Sequence, residues 1–202
     1  MLLKRSSISP VILRLALASW FSALTTGCVH QADPRPSWSL TTLQGNPVTI
    51  QFEADTRAIV FEFLSVECPI SNRVEPELDR LKREYTPRGV AFVAVYPNAG
   101  DLPEVIREHR AEGSFTPEAF RDPQQTLADQ LGIKVTPEVV VFTADGRQVY
   151  RGRVNDQYAA LGQGKPAPTR HDLAEALAGL TKGTQMEPRS TPPVGCRIQR
   201  IP

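Results

Sequence analysis

The stretch VFEFLSVECPISNRVEPELDRLKREY, Val60 to Tyr85, decides the fold. It opens as an apolar run of strand-forming residues and meets Cys68, followed at once by Pro69. It then places Ile70, Val74, Leu78, Leu81 and Tyr85 at helical spacing, with Glu, Asp, Arg and Lys on the opposite side. Proline suits the first helical turn because its missing N–H has no intrahelical partner there. Cys68 is therefore expected at a helix N-terminus, where unsatisfied N–H groups and the positive end of the helix dipole favour thiolate over thiol. Glu67 beside it works against that effect. The position three residues on, where a redox partner often stands, is Ser71.

Glu62 lies inside the strand run, six residues before the cysteine. A carboxylate in a buried strand is costly unless it is paired or protonated, and burial raises its pKa. Such a group is suited to exchange protons with a thiol near neutral pH. The alternative is an edge strand whose Glu62 side chain reaches water.

Outward from this unit, WSLTTLQGNPVTIQF reads as two short strands turning at Gly45 and Asn46, and GVAFVAVYP (89–97) as a second buried-type strand. LPEVIREHRAEG (102–113) and PQQTLADQLGI (123–133) read as helices, the second with Asp122 as its cap and Gly132 near its end. EVVVFTADGRQVYRGRV (138–154) reads as two strands around an Asp145-Gly146 turn, and TRHDLAEALAGL (169–180) as a closing helix opened by Thr169 and Asp172. Pro137 stands directly before a strand, and a cis Thr136-Pro137 turn resolves the missing ladder bond while offering backbone to a substrate. Strands alternating with helices, then a hairpin and a helix, imply an α/β domain layered on a central mixed sheet.

The 202 residues are 41% hydrophobic and 22% charged with a net charge of +1, ordinary for a globular chain and without an electrostatic reason to expect nucleic acid. Residues 1–27 have signal-peptide architecture: Lys4 and Arg5, an apolar stretch from Val11 to Leu24 interrupted by Arg14, then small residues. That stretch falls short of the ~20 clean residues of a transmembrane helix. Residues 28–36, with Pro34 and Pro36, suit an extended linker; 37–182 form the domain and 183–202 a proline-rich irregular tail. His30, His109 and His171 make no close metal-ligand spacing with a cysteine, and LGQGKPAP lacks the strand-to-helix frame of a phosphate loop, so no metal or other cofactor is expected.

Two resemblances add to this reading. LTTGC resembles the lipobox of bacterial lipoproteins, which implies an exported chain lipid-anchored through Cys28 on the periplasmic side of a membrane; Thr25 stands where that motif has leucine. From about Trp38 to Leu180 the chain resembles thioredoxin-like proteins of the redoxin group, which includes alkyl hydroperoxide reductase/thiol-specific antioxidant proteins and exported thiol-disulfide oxidoreductases. FEFLSVEC carries an acid six residues before the cysteine, Pro76 follows the cysteine by eight, and GIKVTPEVVVFTADG matches the cis-proline segment.

The resemblance implies a three-layer thioredoxin-like fold with an N-terminal β extension and an irregular C-terminal tail. It implies Cys68 as nucleophile, Glu62 as proton relay, Ser71 and Ser65 in the active turn, and Pro69, Thr136 and Pro137 as substrate contacts. Tyr158 and Asp156 line the active face by the same resemblance. Protein or small-molecule disulfides and thiols, or peroxide, are the implied partners. The chain departs from the pattern in two ways. Cys-Pro-Ile-Ser excludes a disulfide within the motif; Phe61 and Pro137 replace the proline and arginine of peroxiredoxins, leaving Arg151 or Arg153 to approach instead. The tail supplies Cys196, and residues 181–195 reach up to roughly 50 Å when extended, ample to return to Cys68. Three readings stay open: a resolving Cys196 in an oxidoreductase, a peroxidase using Ser65 and an arginine, and a non-catalytic binding module with a structural Cys68–Cys196 disulfide.

Overall fold

Alternation along Ser37–Thr42 (β1) buries Trp38 and Leu40, and the turn at Gly45 returns the chain antiparallel as Pro47–Gln51 (β2). The computed structural model describes residues 35–111, 118–183 and 187–200. The expected signal segment, Cys28 and most of the linker lie outside the described residues. Ala58–Phe63 (β3) is buried at every position. It follows that this strand is flanked on both edges and covered on both faces.

The sequence beyond β3 follows the expected alternation. Pro69–Tyr85 (α1) begins with proline in its first turn and contains Pro76, and it leads into Val90–Tyr96 (β4), which pairs parallel with β3. Pro103–Ala111 (α2) precedes Ala119–Arg121 (β5), a short strand lodged between β4 and β1. Thr126–Gln130 (α3) is shorter than the eleven-residue pattern suggested. Gln125 enters it in the left-handed conformation, and Asp122 serves it by accepting the Ala128 N–H at 2.8 Å.

Val135–Thr136 (β6) and the cis Thr136-Pro137 bond lead to Glu138–Thr143 (β7), antiparallel to β3, and Gln148–Gly152 (β8) completes the expected hairpin. Tyr158–Ala160 (β9) and Gln163–Gly164 (β10) form a small separate ribbon, followed by Asp172–Thr181 (α4). The Thr169 and Asp172 start does not form a capping pair. Thr169 Oγ1 donates to Asp156 at 2.6 Å, Asp172 accepts from Arg153 Nε at 2.8 Å, and His171 takes the cap position.

The tail is less irregular than its composition suggests. Arg189–Ser190 (β11) joins β8 in parallel, and Cys196–Arg197 (β12) pairs antiparallel with β6. The principal sheet runs β11-β8-β7-β3-β4-β5-β1-β2, with β3 near its centre. Successive β3 side chains feed two cores. Val60 packs with Val74, Leu78 and Leu81 of α1 and Leu173 and Leu177 of α4. Phe61 and Phe63 face Trp38, Leu127, Ile133 and, from the tail, Ile198. The Trp38 and Phe61 rings meet edge-on at 4.8 Å.

Candidate active site

The end of β3 and the start of α1 place Cys68 at the sheet's C-terminal margin, where it is the N-cap of α1 with extended backbone. It is 1% exposed. Its Sγ lies 3.0 Å from the carbonyl oxygen of Thr136. Through the β6–β12 bridge, Thr136 is also the register partner of Cys196. Both cysteines are free, and Cys196 is half-buried. The tail therefore brings its cysteine to the active turn.

Opposed causes set the acidity of Cys68. Burial raises its pKa, and the Thr136 carbonyl, which can only accept, works with the thiol form. Against them, the neighbouring Cys196 and Ser71, through side chain and backbone alike, favour the thiolate, and the net direction is down. Cys196 goes the other way: burial and the neighbouring Cys68 push it up to about 12.

Ser71, three residues after the cysteine, is buried and ties the turn together, accepting the Ser65 N–H at 3.3 Å. Ser65 Oγ accepts from Asn98 Nδ2 at 2.9 Å and donates to Asp101 Oδ1 at 3.4 Å, and Asp101 also receives the Val66 N–H at 3.2 Å. Burial raises the Asp101 pKa against these hydrogen bonds. Asn98 and Asp101 escaped sequence reasoning because neither falls on a periodic face or in a recognisable motif. Asn98 also accepts the Gln199 N–H at 3.0 Å, so one side chain bridges the active turn and the tail.

Glu62 is fully buried in a central strand, which overturns the alternative of an edge carboxylate reaching water. It pairs with Lys82 Nζ at 3.0 Å, and Lys82, itself 1% exposed, also approaches Asp79 at 3.6 Å. Burial dominates and raises the Glu62 pKa despite the lysine. Pro69 and Tyr158 line a groove of about 810 Å³ with Asn72, Arg73 and Lys165. Asp156 is occupied differently: Lys165 Nζ at 2.6 Å, the Thr169 N–H at 2.7 Å and the Arg170 N–H at 2.9 Å converge on its carboxylate and lower its pKa.

The two arginines proposed to approach the thiol are engaged elsewhere. Arg151 donates to Glu138 at 2.6 Å and to the carbonyls of Leu131 at 2.6 Å and Gly132 at 2.7 Å, and Arg153 is held by Asp172.

A family model described as Redoxin matches residues 30–161. The chain belongs to the redoxin family. No curated protein matches this redoxin. Among solved structures it is similar to an uncharacterized conserved protein from Geobacillus kaustophilus, at 28% identity and TM-score 0.72, covering 85% of this chain and 92% of that one. A hypothetical protein from Sinorhizobium meliloti 1021 is similar at 23% identity and TM-score 0.71, with 83% and 93% covered. A secreted Mycobacterium tuberculosis disulfide oxidoreductase homologous to E. coli DsbE shares the fold at 18% identity and TM-score 0.52, with 70% and 95% covered. The redoxin thus has the thioredoxin-like fold its sequence implied, with thiol-disulfide oxidoreductases among its structural neighbours. Among the described residues, no helix is long and apolar enough to cross a membrane.

Proposed function

We propose that this redoxin is an exported thiol-disulfide oxidoreductase in which Cys68 is the nucleophile and Cys196 the resolving thiol. One observation carries the reading: Cys68 and Cys196 meet at Thr136, one through its Sγ and the other through its strand register. The Cys68 thiolate attacks one sulfur of a substrate disulfide, whose S–S bond breaks and whose other sulfur leaves as thiolate and takes a proton. Cys196, losing its own proton, then attacks the Cys68 sulfur of the mixed disulfide. The second substrate sulfur departs, and the Cys68–Cys196 bond holds the two electron equivalents of oxidation.

Ser71 is assigned the role of favouring the Cys68 thiolate, supported by its place in the same buried turn and its part in lowering the Cys68 pKa. Glu62 is assigned the proton relay behind the turn, supported by its raised pKa. The edge of β6 before Pro137, occupied by the tail strand, is assigned the substrate contact. Export, with Cys28 as lipid attachment point, rests on the N-terminal sequence.

A second reading is favoured by the density of tail anchoring. Ile198 is buried and its N–H reaches the Lys134 carbonyl at 3.0 Å, while Arg200 Nη2 reaches the Ile133 carbonyl at 3.1 Å. In that reading the Cys68–Cys196 bond is a fixed staple in a binding module. A Cys196→Ser variant incubated with a disulfide-bonded protein separates them: a mixed disulfide trapped on Cys68 supports the oxidoreductase. Absence of any trapped species, together with a wild-type disulfide that survives reductants able to open catalytic ones, supports the module.

A further inference from the structure

Resting on the two-cysteine reading above, we infer that electrons enter this redoxin at Cys196: a thiol donor attacks the Cys196 sulfur of the Cys68–Cys196 disulfide, and Cys68 is the leaving group. The two sulfurs differ in what an incoming molecule can touch. Cys68 is 1% exposed, enclosed by the Thr136 carbonyl, Ser71 and the tail strand. Cys196 is half-buried and its strand neighbour Arg197 is exposed.

The cover over Cys68 is built into the tail on both sides of Cys196. On one side, Gly195 lies so close to the Thr136–Pro137 peptide that a Cβ would fall well inside contact distance of the Thr136 carbonyl. Farther back, the Thr191 and Tyr150 hydroxyls hydrogen-bond to each other at 2.7 Å, and the Thr191 N–H donates to the Arg151 carbonyl at 2.9 Å. On the other side, Ile198 is buried and Gln199 is held by Asn98 at 3.0 Å. A disulfide adds a covalent tie to these contacts, so in the oxidised chain the Cys68 sulfur stays beneath the strand.

Leaving-group chemistry points the same way. In disulfide exchange the sulfur with the lower thiol pKa leaves faster. Cys68 is held below the ordinary thiol range, and the Cys196 thiol is pushed up to about 12. The donor thiolate therefore forms a bond to Cys196 Sγ as the Cys68–Cys196 bond breaks, and the electron pair departs on Cys68 as its thiolate. A second thiol of the donor, deprotonated, attacks the donor sulfur of this mixed disulfide, and Cys196 leaves and takes a proton. The donor, a dithiol or two monothiols, ends as a disulfide, and both protein cysteines are reduced. Donor and substrate thus use different sulfurs: the donor reaches Cys196 with the tail docked, and the substrate reaches Cys68 once the untied tail lifts.

The test uses the full chain, oxidised to its intramolecular disulfide, mixed with excess glutathione and quenched at early times with acid and a maleimide before peptide mapping. The expected result is glutathione on Cys196 over Cys68 by roughly tenfold or more, with the maleimide on Cys68. Adducts mainly on Cys68, or evenly divided, overturn the inference and leave the two-cysteine reading standing. Failure of the chain to form any Cys68–Cys196 disulfide under mild oxidation overturns both.

Discussion

Cys196 stands directly across the β-bridge from Thr136, the residue whose carbonyl oxygen lies 3.0 Å from the Cys68 sulfur. One short strand thus sets the distance between two cysteines far apart in sequence and covers one of them. The consequences are testable one by one.

Removing the Cys196 thiol takes away the largest of the causes that lower the Cys68 pKa. In Cys196→Ala the thiolate absorbance of Cys68 should appear at higher pH than in the reduced wild type. An unchanged midpoint would show that Ser71 and the backbone of residue 196 set it without the thiol.

The two thiols should also bend stability with pH in opposite directions. Cys68, depressed in the folded state, contributes stability that is present above its unfolded pKa of ~8.5 and lost as pH falls through its lower folded value. Cys196, raised to about 12, contributes stability that is present below ~8.5 and lost as pH climbs toward that folded value. Denaturant titrations of reduced wild type and Cys196→Ala should therefore converge or cross on the alkaline side, the wild type losing more stability between neutral pH and pH 11 or so.

Gly195→Ala puts a methyl group against the Thr136 carbonyl. The tail strand should be displaced while the domain stays folded, and the reduced Cys68 should react with a maleimide roughly tenfold faster or more, the change that a loss of ~1.4 kcal/mol of docking produces. Equal rates in the two proteins would show that the strand does not guard the sulfur.

Lys82→Met leaves the Glu62 carboxylate buried without its partner. Breaking a buried pair costs on the order of 3–5 kcal/mol. The loss should be largest at neutral pH and shrink in acid, where Glu62 is protonated and needs no cation. Urea denaturation at the two pH values measures this.

Arg151 and Arg153 are spent on Glu138, on backbone carbonyls and on Asp172. Replacing either by lysine should leave the rate at which hydrogen peroxide oxidises Cys68 unchanged within about twofold, since a change of well under 1 kcal/mol in the barrier corresponds to that. A pronounced drop would restore the peroxidase reading.

The sequence determined the parts whose signal is local. The apolar run of β3, the helical spacing from Ile70 to Tyr85 and the proline after Cys68 depend on neighbours along the chain, and they came out where periodicity put them. So did both hairpin turns and the cis bond before β7. What only the tertiary structure decided is which distant groups share one place. Glu62 found Lys82, the Thr169 and Asp172 start was taken apart by Asp156 and Arg153, and a tail without any period became a strand because β6 offered it a free edge. Cys196 and Arg197 take their strand partners from that distant edge, so nothing in the tail's own residues could announce the strand, and the meeting of Cys196 with Cys68 follows from it.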